Sequence, residues 1–278
     1  MEKYLIVTDT TSAMNKEIAA AHGIELISLS VIVDGQEYKD QVDISTEQLY
    51  DYLKDGKTPS TSQPNTGYLI EKMEAWQKEN YEAIIVVTCS ADLSGTNNGF
   101  HLAKDTVGLD NVYIYDSRQV GAPVMDMAIR AKQLADEIFK VLEEKTKHSF
   151  SFLYPDNFDQ LSRSGRLSPM AARMASMLKI KALLCLDEQG KSVDKYSMSR
   201  TEVKVLKAIT DKFHELGVNA EKYKIYISHA DNIVFAKKSK LLLQTTFHGI
   251  EVEINNLPAV LTCHGGLACC ALHSTYKI

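Results

Sequence analysis

Three short stretches, Tyr4 to Val7, Ile84 to Val87 and Val112 to Tyr115, are apolar on nearly every residue rather than on every second one. A strand carries that pattern when both of its faces are covered, as in the middle of a parallel sheet with helices on either side. Around these stretches run segments of helical periodicity: Ser45 to Lys54, Gly67 to Asn80, Gly95 to Val107, and a longer one from Val120 to Glu144. Strand, crossover and strand in alternation specify a βαβ layout, with right-handed crossovers and a sheet sandwiched between helices.

Beyond Lys147 the pattern changes. Phe150 to Tyr154 reads as a strand closed by Pro155, and a short helix over Asn157 to Ser162 runs into Arg163-Ser164-Gly165-Arg166. Ser168-Pro169 places a capping hydroxyl and a first-turn proline at the start of another helix. Ala182 to Leu186 and Ser192 to Ser197, joined across Asp187-Glu188-Gln189-Gly190, form a hairpin pattern. A helix from Thr201 to Leu216, a strand at Lys224 to Ser228, a helix near Ile233 to Thr245 and a strand at Gly249 to Ile254 follow. The expectation is therefore α/β throughout, with 278 residues divided into a parallel-sheet domain, 1–147, and a mixed-sheet domain, 148–278.

A net charge of -5 disfavours a general nucleic-acid binder, because neutralising phosphates takes clustered Lys and Arg. No apolar run approaches the roughly 18 residues of a membrane span, and the first apolar stretch is too short for a signal peptide. A cytoplasmic location is expected. The five cysteines, Cys89, Cys185, Cys263, Cys269 and Cys270, lack a CxxC spacing, so reduced, buried thiols are expected rather than a zinc site.

In open α/β sheets reactive and binding groups gather beyond the carboxyl ends of the strands. Thr8-Asp9-Thr10-Thr11-Ser12, Thr88 to Thr96 and Asp116-Ser117 each follow an apolar strand there. Helix capping explains most such residues one at a time, and anion binding explains them together. Pro59-Ser60-Thr61-Ser62-Gln63-Pro64-Asn65 reads as a stiff polar loop, and Cys263-His264-Gly265-Gly266 as the exit from a strand ending near Leu261. Catalytic templates are missing: no Gly-x-Ser-x-Gly elbow, no P-loop, no HExxH and no Gly-x-Gly-x-x-Gly. The residues alone leave open a serine acyl hydrolase working through Ser94, a binding protein for a small anionic ligand, and a phosphotransfer partner.

Taken in order, Asp9-Thr10-Thr11, Thr61-Ser62-Gln63-Pro64, Leu93-Ser94-Gly95-Thr96, Asp116-Ser117, Leu161 to Ser168, Ser199-Arg200-Thr201 and the His264 segment resemble the DegV family across the whole chain. The resemblance implies two α/β domains with a lipid tunnel between them and a long-chain fatty acid as ligand, with no other cofactor and no metal. It implies a carrier, not an enzyme, that presents the carboxylate to a separate fatty-acid kinase for acyl-phosphate formation, a step of phospholipid metabolism. Transferred to this sequence, the carboxylate ligands are Thr61, Ser94 and His264, with Ser62 as a neighbour. Arg166 is assigned to the head group and Arg200 to docking of the kinase. Two places depart from the family pattern. Gly265-Gly266-Leu267-Ala268-Cys269 replaces a Thr-Gly-Pro-Gly type sequence, and Asp92 stands where glycine is common, so Asp92 is expected to face solvent.

Overall fold

The computed structural model describes residues 4–133, 137–173 and 180–278. In chain order the strands are β1 (Tyr4–Asp9), β2 (Ile24–Ile27), β3 (Ser30–Val33), β4 (Gln36–Lys39), β5 (Ser60–Ser62), β6 (Ala83–Thr88), β7 (Val112–Asp116), β8 (Phe150–Tyr154), β9 (Lys181–Leu186), β10 (Val193–Ser199), β11 (Tyr223–His229), β12 (Glu251–Asn256) and β13 (Cys270–Tyr276). The helices are α1 (Lys16–His22), α2 (Thr46–Lys54), α3 (Thr66–Lys78), α4 (Thr96–Val107), α5 (Ala122–Gln133), α6 (Ile138–His148), α7 (Asp159–Ser164), α8 (Pro169–Ala172), α9 (Glu202–Glu215), α10 (Ile233–Thr246) and α11 (Ala259–Gly265).

Two of the three continuously apolar strands lie where that composition requires, whereas the third, β7, is an edge strand with Tyr113 exposed. Parallel β1 and β6 occupy the middle of a four-stranded sheet ordered β2-β1-β6-β7. Alternate side chains of β1 and β6 enter two separate cores. Leu5, Val7, Ile84 and Val86 pack with α3 and α4, while Ile6, Ile85 and Val87 pack with α5 and α6. A six-stranded mixed sheet, β10-β9-β8-β13-β11-β12, is built from residues beyond 148, with β11 and β12 parallel and the other pairs antiparallel. A three-stranded antiparallel sheet, β4-β3-β5, completes the architecture.

Three further local expectations are corrected. The stretch expected as one helix from Val120 to Glu144 contains two, α5 and α6, because Glu137 (φ −117°, ψ 17°) leaves helical geometry; residues 134–136 of that stretch lie outside the described residues. The Pro59–Asn65 loop contains β5, whose Ser60 to Ser62 pair with Ile32 to Ser30. The run Leu257 to Leu261 is not a strand: Pro258 (φ −61°, ψ 158°) opens α11, so His264 sits on a helix. The segment Ile24 to Lys39 and the strand β13 carried no expectation. Both are built from short or interrupted apolar patterns that acquire their pairing from distant partners.

The two large sheets are joined through buried polar contacts as well as apolar ones. Tyr226 of β11 packs in the core beneath α5, and its hydroxyl donates to Asp126 Oδ1 at 3.0 Å. Lys145 of α6, 3% exposed, pairs with Asp126 Oδ2 at 2.6 Å and donates to the Tyr276 carbonyl at 2.5 Å. A lysine this deep is stable only because both acceptors face its ammonium group.

Candidate functional site

Each residue of the expected head-group cluster arrives on a different element. Thr61 lies on β5, held in register by pairing with Val31. Ser94 ends the turn after β6, where its N–H and that of Leu93 both donate to the Ser90 carbonyl, at 3.2 and 3.1 Å. His264 is carried by α11. That helix packs Ala259, Val260 and Cys263 against Leu29, Val31 and Leu49 of the β3 sheet and α2, while its Leu261 packs with the cluster of Ala271 and Leu153 on the six-stranded sheet. The result is a pairing across 203 residues of sequence, with Thr61 Oγ1 3.0 Å from His264 Nε2.

Arg166 follows the left-handed Gly165 (φ +71°) that ends α7. Its Nε donates to the Leu93 carbonyl at 3.2 Å and its Nη1 to the Ser164 carbonyl, which brings the guanidinium beside the Ser94 turn. Among the described residues Arg166 has no carboxylate partner. Burial, and then the nearby Arg166 charge, push His264 down to about 4, so its imidazole is neutral at physiological pH. A neutral imidazole, two hydroxyls and one unopposed cation form a set suited to an anion. The cation supplies charge and the neutral groups direct hydrogen bonds.

Thr61, Ser94, Arg166 and His264 all line one cavity with about 800 Å³ of space between atoms, its mouth included. Most of its wall is aliphatic and comes from both parts of the chain, including Leu29, Leu93 and Val120 on one side and Leu153, Leu257 and Val260 on the other. Ser62, the next residue on β5, turns away as strand alternation requires, and its hydroxyl donates to the Gln63 carbonyl at 3.2 Å. Arg200 is exposed beside the start of α9, with no hydrogen bond or ion pair among the described residues. Asp92 faces solvent, as expected.

The arrangement does not assemble a serine nucleophile. Ser94 Oγ pairs with Thr96 Oγ1 at 2.9 Å, while His264 Nε2 faces Thr61. The Ser94–base contact that acyl transfer requires is therefore not made. Cys89 lines the cavity, but burial raises its thiol well above the usual range, which disfavours the nucleophilic thiolate. All five cysteines are free, and among the described residues no group of His, Cys, Asp and Glu is arranged to hold a metal. No helix among them is long and apolar enough to cross a membrane.

Two wall residues escaped sequence reasoning as site residues. Thr11 belonged to a flagged cluster but had no separate signal. His273 lies in Ala271-Leu272-His273, where a single histidine on one face of an apolar strand was the available clue.

Fold and cavity together give an α/β protein with a mostly apolar cavity that carries an anion-suited cluster on its wall. The chain belongs to the DegV family: residues 3–277 match the family, which is described as one of uncharacterised proteins. A DegV domain-containing protein of Staphylococcus aureus is 30% identical over 272 residues, covering 96% of both chains. A crystal structure of DegV from Bacillus subtilis, described as a fatty acid binding protein, superposes with a TM-score of 0.86 at 26% identity over the full length of both chains. A DegV family protein from Thermus thermophilus, described for its fatty acid binding, reaches a TM-score of 0.90 at 21% identity, over 99% of this chain and 100% of that one. At that identity the likeness is one of fold.

Proposed function

We propose that this protein is a cytoplasmic fatty-acid carrier that sequesters a long-chain fatty acid and presents its carboxylate to a separate fatty-acid kinase for acyl-phosphate formation. The observation that carries this reading is Arg166, a cation without an acidic partner among the described residues, beside Thr61, Ser94 and neutral His264 on the wall of a mostly aliphatic cavity. The fatty-acid-binding descriptions of similar structures support it. On this reading residues 1–147 and 148–278 are two lobes that close over the acid. The acyl chain supplies affinity: about 14 buried methylenes at roughly 0.8 kcal/mol each set an upper bound near 11 kcal/mol, from which association entropy is subtracted. The polar cluster fixes which end enters last. Its members hydrogen-bond the carboxylate, and the first turn of α4, which begins beside Ser94, adds its dipole.

Solvent extraction of the purified protein followed by mass spectrometry is expected to release one fatty acid per chain. In calorimetric titrations of delipidated protein, Ser94→Ala and His264→Ala are each expected to lower affinity roughly 10- to 150-fold, the loss of one hydrogen bond to a charged group. Unchanged affinity in both variants removes these residues from the site.

Arg200 is assigned to the kinase. It lies at the N-terminal end of α9, where a cation gains nothing from the helix dipole, and it contacts no acid among the described residues. Arg200→Ala is expected to bind fatty acid as the wild type does and to slow acyl-phosphate formation when carrier is limiting. Equal rates for the two proteins would sink this role. The same assay run without kinase is expected to yield no acyl phosphate, and product formed by the carrier alone would overturn the non-enzymatic reading.

A further inference from the structure

Among the described residues, His273 Nε2 is the one buried side-chain nitrogen or oxygen without a hydrogen-bond partner that belongs to a residue lining the cavity. Its placement follows from strand parity. On β13, Cys270 and Leu272 enter the core beneath α9 and α10, while Ala271 and His273 alternate onto the cavity wall. The imidazole edge faces Gly121, itself a lining residue: a β-carbon there would lie 3.2 Å from Nε2 and 3.3 Å from Cε1. Glycine at that position, with φ +75°, keeps a side chain from pressing on the Nε2 edge of the buried ring.

The other ring nitrogen is occupied. His273 Nδ1 lies 2.8 Å from Ser151 Oγ, which donates to Gln119 Oε1 at 3.3 Å. Burial pushes the imidazole down to about 3, so the ring is neutral, with one N–H and one lone pair. Ser151 engages one of these and the other is left over. A buried polar atom without a partner is costly, and a wall that only had to enclose hydrocarbon is satisfied by the aliphatic residues used around the rest of the cavity.

We infer that the acid this cavity is built for carries a hydroxyl along its chain, held at His273 Nε2. The inference rests on the fatty-acid reading above and narrows it to an oxygenated acyl chain. With the Ser151 proton given to Gln119, His273 Nδ1–H donates to Ser151 and Nε2 is left as an acceptor, which a chain hydroxyl fills by donating to it. A plain hydrocarbon chain, saturated or not, leaves Nε2 unpaired.

The test titrates delipidated wild-type protein with stearate, with oleate and with monohydroxylated octadecanoic acids in which the hydroxyl is moved along the chain. One position in the series is expected to bind about tenfold more tightly than stearate. That gain, measured against each protein's own stearate affinity, is expected to vanish in His273→Leu. Where His273→Leu does not fold, the ¹⁵N signal of the wild-type His273 imidazole is the second readout, shifting with the matched isomer and not with stearate. Stearate binding with a flat isomer series, or a preference for oleate over every hydroxylated acid, overturns this inference and leaves the carrier reading standing. No binding of any acid sinks both.

Discussion

Gly190→Ala is expected to destabilise the protein by about 3 kcal/mol or more, a fall in Tm of roughly 6–12 °C for a chain of this size. Gly190 closes the β9–β10 hairpin at φ +73°, and a β-carbon there would lie 2.4 Å from the Arg118 carbonyl oxygen and 2.9 Å from its Cα. Those atoms are backbone and cannot rotate aside. Nor can the hairpin back away, because Ser90 Oγ donates to the Gly190 carbonyl at 2.6 Å. Its turn is also tied to the Asp187 carboxylate, which accepts from the Gln189, Lys191 and Ser192 amides at 2.8–3.0 Å. Gly165→Ala is the matched control: Gly165 has φ +71° but nothing within 4 Å of its β-carbon position. It is expected to cost only the left-handed strain, about 1 kcal/mol. Equal losses for the two variants in urea titrations would show that the close approach of the hairpin to Arg118 contributes nothing.

The second large effect concerns pH. Asp40 is fully buried, and burial pushes it up to about 7 against the opposing effect of the Thr10 hydroxyl and the Val260 and Gln41 amides. Asp9, also buried, is pushed up to about 6 by the same cause, against the opposing effect of the Thr11 hydroxyl and amide. A carboxyl with a raised folded pKa favours folding most below its unfolded value and loses that contribution as pH rises through the folded value. For Asp40 the loss approaches roughly 4 kcal/mol. His264 and His273, held down to about 4 and about 3, act in the opposite sense. Their contribution is present above the unfolded value near 6.5 and falls away as pH drops toward 4. Between about pH 4 and pH 6 the two acids and two imidazoles therefore oppose one another. Asp40→Asn removes one acid. Relative to wild type it is expected to gain stability between about pH 5 and about pH 9, by as much as roughly 3 kcal/mol. A wild-type-to-variant difference that stays constant across that window would mean that Asp40 titrates normally in the folded protein.

What could be read in advance divides by the range of the interactions involved. β1 and β6 announced themselves because burial on both faces is written into each strand's own residues, and β7 shares their apolar run although it lies at the sheet edge. The hairpin around Asp187 and the cap at Ser168 were equally local. His264 and Thr61 were named, but not their contact, which depends on α11 leaving the sheet that precedes it and packing on β3 and α2. The same distant packing turned an apolar run, read as a strand, into a helix. β13 was missed although it is central, because Cys270 to Tyr276 mixes Ser, His and Thr into an apolar strand and shows no clean period. His273 was lost with it.

The position of β13 has a consequence for the order in which the molecule assembles. Its neighbours β8 and β11 begin two separately connected groups of strands, β8-β9-β10 and β11-β12, and β13 alone bridges them in the six-stranded sheet. Each group can zip up from short-range pairings, but their union waits for a strand more than a hundred residues downstream of β8. α11 and β13 are nearly consecutive, so that late docking also delivers His264, Ala271 and His273. Until then two unpaired edges flank an open greasy trough, the state most prone to capture by another chain. Closure of the sheet also sets β13's share of the cavity wall in place, so a molecule bound there would stabilise the closed sheet over the open one.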